Sequence, residues 1–466
     1  MEQLSTAQKA LQINVDLKKF GTFAEIGAGQ EVARWFFHVG RESGTVAKAI
    51  SAYDMAISDD LYGPTDHYVS RIRLEAMLER EFTQLRERLS AKRGGENAFF
   101  VFADTLATRS HSQRQGQGWM GIRFQSQPGE ATSEIIIHVL LLDTEGSNEQ
   151  EAVGIVGVNL THGAFYSSHD PTLLMKSLMD GLNRRRIEVD MIKFSGPVFA
   201  TVDNRLMSLQ LVENALTDAA MFTAAGEVVQ PSEVLYERPV LIERGSFRPV
   251  TNVTLDMLAR ASRQIQRNTP APFEPPVELM EMTLNNLMGG QTIDHKDFLD
   301  RVDLLGALGK TVMISNYTRF DRVTGYLRKS TSNWIAMVLG IPTLREIFNE
   351  KYYADLDGGI LEGLGRLFQG PVKLLVYPTR ESADVALATA ELLAVQPRQR
   401  NLYAHLLQNG SIEPIQEFDA DQLHFTPGDV LQKLQSADPS WEAMVPPQVA
   451  GLIKKGNLFG YAASKQ

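Results

Sequence analysis

An α/β fold with mixed sheets, divided into two globular domains, is what this sequence predicts, and three observations carry that reading. Short apolar runs of strand length alternate with segments whose apolar residues recur at helical spacing. The 466-residue length exceeds what one hydrophobic core normally organises. The stretch Arg267-Asn268-Thr269-Pro270-Ala271-Pro272-Phe273-Glu274-Pro275-Pro276 can continue neither a helix nor a central strand. The expected division is therefore residues 1–266, a linker over 267–280, and residues 281–466.

The first element is an apolar run ending at Glu25-Ile26, broken by Gly27-Ala28-Gly29 and resumed with helical spacing through Phe37, which reads as strand, tight turn and helix. Residues 49–54 read as a second strand ending at the acid Asp54. Residues 70–92 read as an amphipathic helix with Ile72, Leu74, Met77, Leu78, Phe82, Leu85 and Leu89 on its apolar face, and Gly94-Gly95 is its expected left-handed stop. Strands are expected from Ala98 and over residues 119–124, 134–142, 152–160 and 188–194. The polar residues 143–148 serve as a hairpin turn and residues 171–183 as a helix.

Further on, residues 205–217 have helical spacing. Ala219–Phe222, Val228–Val229, residues 240–242, Thr311–Ser315 and Val372–Tyr377 read as strands. Residues 334–339, 343–352 and 382–394 read as helices. The dense apolar block from Trp334 to Tyr353 is expected to be mainly core, and any exposed face of it would be a self-association surface.

Composition excludes several function classes. The absence of cysteine rules out disulfides, thiolate catalysis and cysteine-bound metal. A formal net charge of -10 opposes nucleic-acid binding. The longest apolar runs are of strand length, so membrane insertion is not expected, and the N-terminal sequence lacks the pattern of an export signal. The chain is accordingly expected to be cytoplasmic.

The turn Gly27 to Gln30 precedes a helix whose amide groups and dipole favour an anion. Glu25-Ile26-Gly27-Ala28-Gly29 resembles the first motif of S-adenosylmethionine-dependent methyltransferases and, more loosely, a dinucleotide turn, with Asp54 placed as the ribose-holding acid and the third glycine missing. The resemblance implies a nucleotide-like or S-adenosylmethionine-like ligand. The same glycines would equally serve to turn a strand into a helix.

Arg205 behind the N-cap residue Asp203, and Arg244 and Arg248 around Gly245, are candidate anion partners because guanidinium is a rigid fork. His162 with His169 and Asp170 is the densest group of candidate acid–base residues, although its spacing matches no metal fingerprint. His38-Val39-Gly40-Arg41 and Ile314-Ser315-Asn316-Tyr317-Thr318-Arg319 approximate, without matching, two signatures of nucleotidyltransferases.

Together, residues 23–34, Asp203 to Leu209, Val229 to Leu235 and Glu243 to Pro249 resemble a bacterial family whose members carry inconsistent labels, among them nicotinate-nucleotide adenylyltransferase and TonB-dependent receptor. An outer-membrane transporter needs about 22 amphipathic strands and an export signal, which disqualifies the second label. The first implies a nucleotide-binding transferase, but the resemblance brings no active site to carry over. Two readings therefore remain. One is a cytoplasmic protein that binds a phosphorylated or nucleotide-like small molecule. The other is a homo-oligomeric scaffold without catalysis.

Overall fold

The computed structural model describes residues 3–109, 115–268, 274–288, 290–380, 386–423 and 426–461. The chain divides into two compact units, Met1–Asp218 and Ala219–Gln466. Each is a mixed α/β unit built on its own sheet. The division falls ahead of the proline-rich stretch. That stretch instead joins elements within the second unit, where the strands on either side of it pair directly; residues 269–273 lie outside the described residues.

The first unit runs α1 (Thr6–Val15), β1 (Lys19–Ile26), α2 (Glu31–Val39), β2 (Val46–Ile50), α3 (Met55–Tyr62), α4 (Arg71–Arg93), β3 (Ala98–Ala107), β4 (Gly116–Gln125), β5 (Thr132–Leu141), α5 (Gly146–Tyr166), α6 (Pro171–Ser177), β6 (Ile187–Ser195) and α7 (Asn204–Glu213). Its sheet has the order β2-β1-β3-β4-β5-β6. The strands β2, β1 and β3 are parallel, and the remaining pairs are antiparallel. Phe23, Phe100, Phe102, Ile122 and Ile137 face the helices α2 and α5 in one core. On the other face, Leu74 and Leu78 of α4 close over Gly121.

Ser70 caps α4 by accepting from the Arg73 amide, and Gly94 closes the helix at a right-handed φ of -63, so no left-handed stop is used. The larger departure is α5. Residues 152–160 read as a strand because they are apolar and β-branched, yet they are the middle of a helix buried on nearly every side, from which residues 143–148 lead out of β5 rather than into a hairpin. A buried helix is apolar all round, so periodicity cannot separate it from a buried strand. Gly157 is what lets it sit so deep, since a Cβ there would lie 2.3 Å from Val32 of α2.

The second unit runs β7 (Ala219–Phe222), β8 (Val228–Val229), α8 (Pro231–Leu235), β9 (Val240–Arg244), α9 (Asn252–Asn268), β10 (Val277–Thr283), α10 (Leu284–Leu287), α11 (His295–Ala307), β11 (Thr311–Ser315), α12 (Phe320–Leu327) and β12 (Ile335–Gly340). It continues through α13 (Ile341–Ile347), α14 (Gly359–Leu367), β13 (Val372–Tyr377), α15 (Arg400–Gln408), β14 (Ile412–Pro414), α16 (Pro427–Gln435) and α17 (Pro447–Gly456). The sheet order is β14-β13-β12-β9-β10-β11-β7-β8. All strands from β14 to β11 are parallel, and β7 and β8 add an antiparallel edge.

Residues 334–339, expected to be helical, fall almost wholly in the central strand β12, because a parallel strand covered on both faces is as uniformly apolar as a buried helix. The block from Trp334 to Tyr353 packs its Ile335, Met337, Leu344, Ile347 and Phe348 into the core of this unit, while Tyr352 is exposed. Of residues 382–394, those up to 385 lie outside the described residues. The remainder holds a bridge from Ala388 to Thr379 and one short turn at Ala390–Leu392 in place of an α-helix.

Candidate functional site

In the first unit, β1 connects to β2 through α2 on one face, and β2 connects to β3 through the segment containing α4 on the other. The chain thus reverses direction across the sheet beside β1 and β3. In open α/β sheets a ligand crevice forms outside the carboxyl ends of the strands at such a switch point. The glycine turn lies there.

Amides in the first turn of the helix that follows it are nevertheless taken. Glu25 is almost fully buried, and its two carboxylate oxygens accept from the Val32 and Ala33 amides, each at 2.9 Å. The side chain of β1 itself therefore fills the anion position at the start of α2. The helix start after Gly27 to Gln30 therefore does not leave the Val32 and Ala33 amides free for an anion, as its position led one to expect. Gly27 is required for another reason: at its φ of +108, a Cβ would stand 1.8 Å from the Leu106 carbonyl oxygen, so the turn is pressed against the end of β3. Gly29 lies on the more open side, its nearest neighbours being Glu31 and the Tyr53 hydroxyl. Gln30 precedes α2 without a side-chain capping bond. Asp54, expected at the end of a strand to hold a ribose, lies beyond the end of β2 and caps α3 by accepting from the Ile57 amide at 3.1 Å.

Asp104 stands beside Glu25 in register on β3. One of its oxygens accepts from the Ile26 amide at 3.2 Å, and the other is buried with no hydrogen-bond partner. Burial pushes the Glu25 carboxyl up to about 7 against the opposing pull of the α2 amides. Burial, reinforced by the Glu25 charge, pushes Asp104 up as well. The motif reading missed Asp104, although a carboxylate inside the apolar run Ala98 to Ala107 was a visible signal.

The proposed acid–base residues do not form one centre. His162 lies on α5, not in a loop after a strand, and its Nε2 meets the Gln12 Oε1 of α1 at 2.9 Å. Burial first, and the Lys9 charge second, push its pKa down to about 4. The neighbouring Lys9 donates to Asn159 at 2.8 Å and to Asp180 at 2.6 Å. His169 and Asp170 are exposed, and Asp170 caps α6 by accepting from the Leu173 amide. Arg205 is hydrogen bonded to Asp203 at the start of α7, which packs on the edge strand β6, several strands from the glycine turn.

Arg244 and Arg248 belong to the second unit. Arg244, the last residue of β9, grips Glu281 of β10 with Nε and Nη2 at 2.9 and 2.8 Å and lies 4.3 Å from the Phe320 ring. Ser315 ends β11 and donates to the same carboxylate at 2.6 Å. Arg248 is paired with Asp297. Both arginines are thus committed to internal carboxylates. The two nucleotidyltransferase-like segments fall in separate units: His38 sits near the end of α2, whereas Ser315 holds Glu281 and Arg319 pairs with Asp321 and Asp355.

The second sheet carries a topological feature that no motif announced. Numbered within its unit, the parallel set β9 to β14 reads 6-5-4-1-2-3 across the sheet, the strand order of the doubly wound dinucleotide-binding fold. Its switch point lies between β9 and β12. Gly245 and Ser246 follow β9, and Gly340 ends β12. The G-x-G-x-x-G fingerprint is absent, since Arg244-Gly245-Ser246-Phe247-Arg248-Pro249 holds one glycine.

No protein-family model and no curated protein sequence matches the chain. Among solved structures, the competence/damage inducible protein CihA from Agrobacterium tumefaciens aligns at 14% identity and a TM-score of 0.25, covering 34% of this chain and 97% of its own. A CinA superfamily protein from Enterobacter cloacae aligns at 8% identity and 0.26, covering 35% and 94%. The Plasmodium falciparum nicotinic acid mononucleotide adenylyltransferase aligns at 11% and 0.31, covering 48% and 98%, and shares one of the labels of the resembling family. At these scores the alignments bear on neither ligand nor reaction. Among the described residues no helix is long and apolar enough to cross a membrane, and no three His, Asp or Glu side chains are grouped to hold a metal ion.

Proposed function

We infer that the chain binds an anionic small molecule, nucleotide-like or phosphorylated, at the carboxyl ends of β9 and β12 in the second unit rather than at the glycine turn of the first. The observation that carries this reading is the reversal of strand order between those two strands. In doubly wound sheets, helices leave such strands toward opposite faces and open a crevice. Gly340 carries no side chain into its mouth, Gly245 makes room for the Phe247 ring, and both glycines are partly exposed. Arg244 at its edge is neutralised by Glu281 and the Gly245 amide donates to the Glu281 carbonyl, which leaves the ligand's charge to the amides beyond Gly245 and the Ser246 hydroxyl.

The test exploits Gly340. Its φ of -86 suits any residue, and a Cβ there would meet only Pro342 and Thr379, at 3.5 and 3.7 Å. Gly340→Asp should therefore fold normally while placing a negative charge in the crevice. Calorimetric titration with AMP, ADP and ATP, together with hydrogen exchange at residues 245–252 and 340–343, should show binding and protection in the wild type. The variant should lose affinity by about tenfold or more through like-charge repulsion. Equal binding by both proteins, or protection confined to the first unit, would refute the reading.

A further inference from the structure

Helix α9 carries a second feature of the same unit. Its buried face is Met257, Leu258, Ala261 and Ile265, and at helical spacing on another face stand Arg260, Arg263 and Arg267. With Glu413, Gln416 and Glu417 from the segment around and after β14, they line a groove of about 240 Å³.

Glu417 occupies this groove in the manner of a ligand. Its carboxylate meets Arg267 Nη1 at 2.5 Å and Arg260 Nη1 at 3.6 Å. The hydrogen bond and charge of Arg267, with the charges of Arg260 and Arg263, hold that carboxyl below the usual range. Glu413 is engaged elsewhere, by Lys373 on β13. Two guanidinium groups thus meet one half-exposed carboxylate, Arg260 also pairing with Asp256 at 2.9 Å, and Arg263 adds its charge nearby.

We propose that the groove is a binding site for a phosphate monoester, which displaces Glu417 from Arg260 and Arg267 and is also met by Arg263 of the groove lining. A monoester brings nearly two negative charges and three acceptor oxygens where the carboxylate brings one charge and two oxygens, and guanidinium forks match phosphate geometry. The groove accommodates a phosphate and a small carrier, not a folded partner. The site is separate from the crevice at β9 and β12 and does not depend on it.

The probes are phosphoserine, inorganic phosphate and acetate, titrated calorimetrically into the full chain at low salt. Phosphoserine should bind, acetate should not, and Arg263→Ala should weaken phosphoserine about tenfold, the effect of one charge-assisted contact. Glu417→Gln should tighten it several-fold by removing the competitor, an effect that a merely structural Glu417 would not produce. Gly340→Asp should leave phosphoserine binding unchanged, which separates this site from the nucleotide reading. Unchanged or weaker binding by Glu417→Gln in a protein with wild-type circular dichroism would overturn the proposal. Acetate binding as tightly as phosphoserine would overturn it too, and inorganic phosphate matching phosphoserine would replace the monoester with the free ion.

Discussion

Both units place a buried carboxylate at the carboxyl ends of their parallel strands, and they neutralise it in opposite ways. In the first, Glu25 caps α2 and lies beside Asp104, and the α2 amides and protons supply the compensation. In the second, Glu281 receives a bidentate Arg244 and the Ser315 hydroxyl. Two like charges side by side in low dielectric make one group hold its proton, whereas a forked cation lets the acid stay ionised. The first arrangement is therefore pH-dependent, and the second depends on retaining its partner. The second unit has one exception on its opposite sheet face, where Glu243 is buried with an unpartnered oxygen and burial pushes its carboxyl up.

The largest effect should come from breaking the ion pair. Arg244→Ala leaves Glu281 buried and uncompensated and should destabilise the second unit by about 3–5 kcal/mol, measured by denaturant titration with hydrogen exchange resolved by unit. A loss below about 1 kcal/mol would show that water reaches Glu281 and that the contrast between the units is false.

The next effect concerns pH. Glu25 titrates near 7 in the folded unit against 4.5 unfolded, so the folded state binds more protons in that interval, and stability falls as pH rises through it, then levels off. Asp104 adds to the same trend. For Glu25 alone the fall is about 3 kcal/mol at most. Asp104→Asn should flatten the slope and raise stability at pH 8 by about 1–3 kcal/mol, because it removes one of two buried like charges; destabilisation at pH 8 would contradict the uncompensated pair.

His162 acts in the opposite sense. Because its folded value lies near 4 against 6.5 unfolded, its contribution is present above 6.5 and is lost as pH falls toward 4. It therefore masks part of the Glu25 trend. His162→Gln should steepen the fall in stability between pH 5 and 7, by up to about 1.4 kcal/mol per pH unit. An unchanged slope would mean that His162 is solvated.

Much of the local structure was legible. Ser70 and the apolar face of α4, the strands Thr311–Ser315 and Val372–Tyr377, and the strand-turn-helix around Gly27 follow from periodicity and capping chemistry, which act within a few residues. What could not be read was the state of uniformly apolar segments. The helix α5 and the strand β12 exchanged roles because only their neighbours, α2 in one case and β9 with β13 in the other, decide which hydrogen-bonding pattern completes the core.

The candidate site divides along the same line. Sequence alone determined that an acid, a glycine turn and a helix start follow one another at Glu25 to Glu31, because these are adjacent and their geometry is local. Only the tertiary structure decided that Glu25 turns back to occupy the α2 amides, that Asp104 arrives beside it from β3, and that β9 and β12 meet at a switch point. Those relations join residues far apart in the chain. They are fixed by strand order and burial, which no short stretch of sequence encodes.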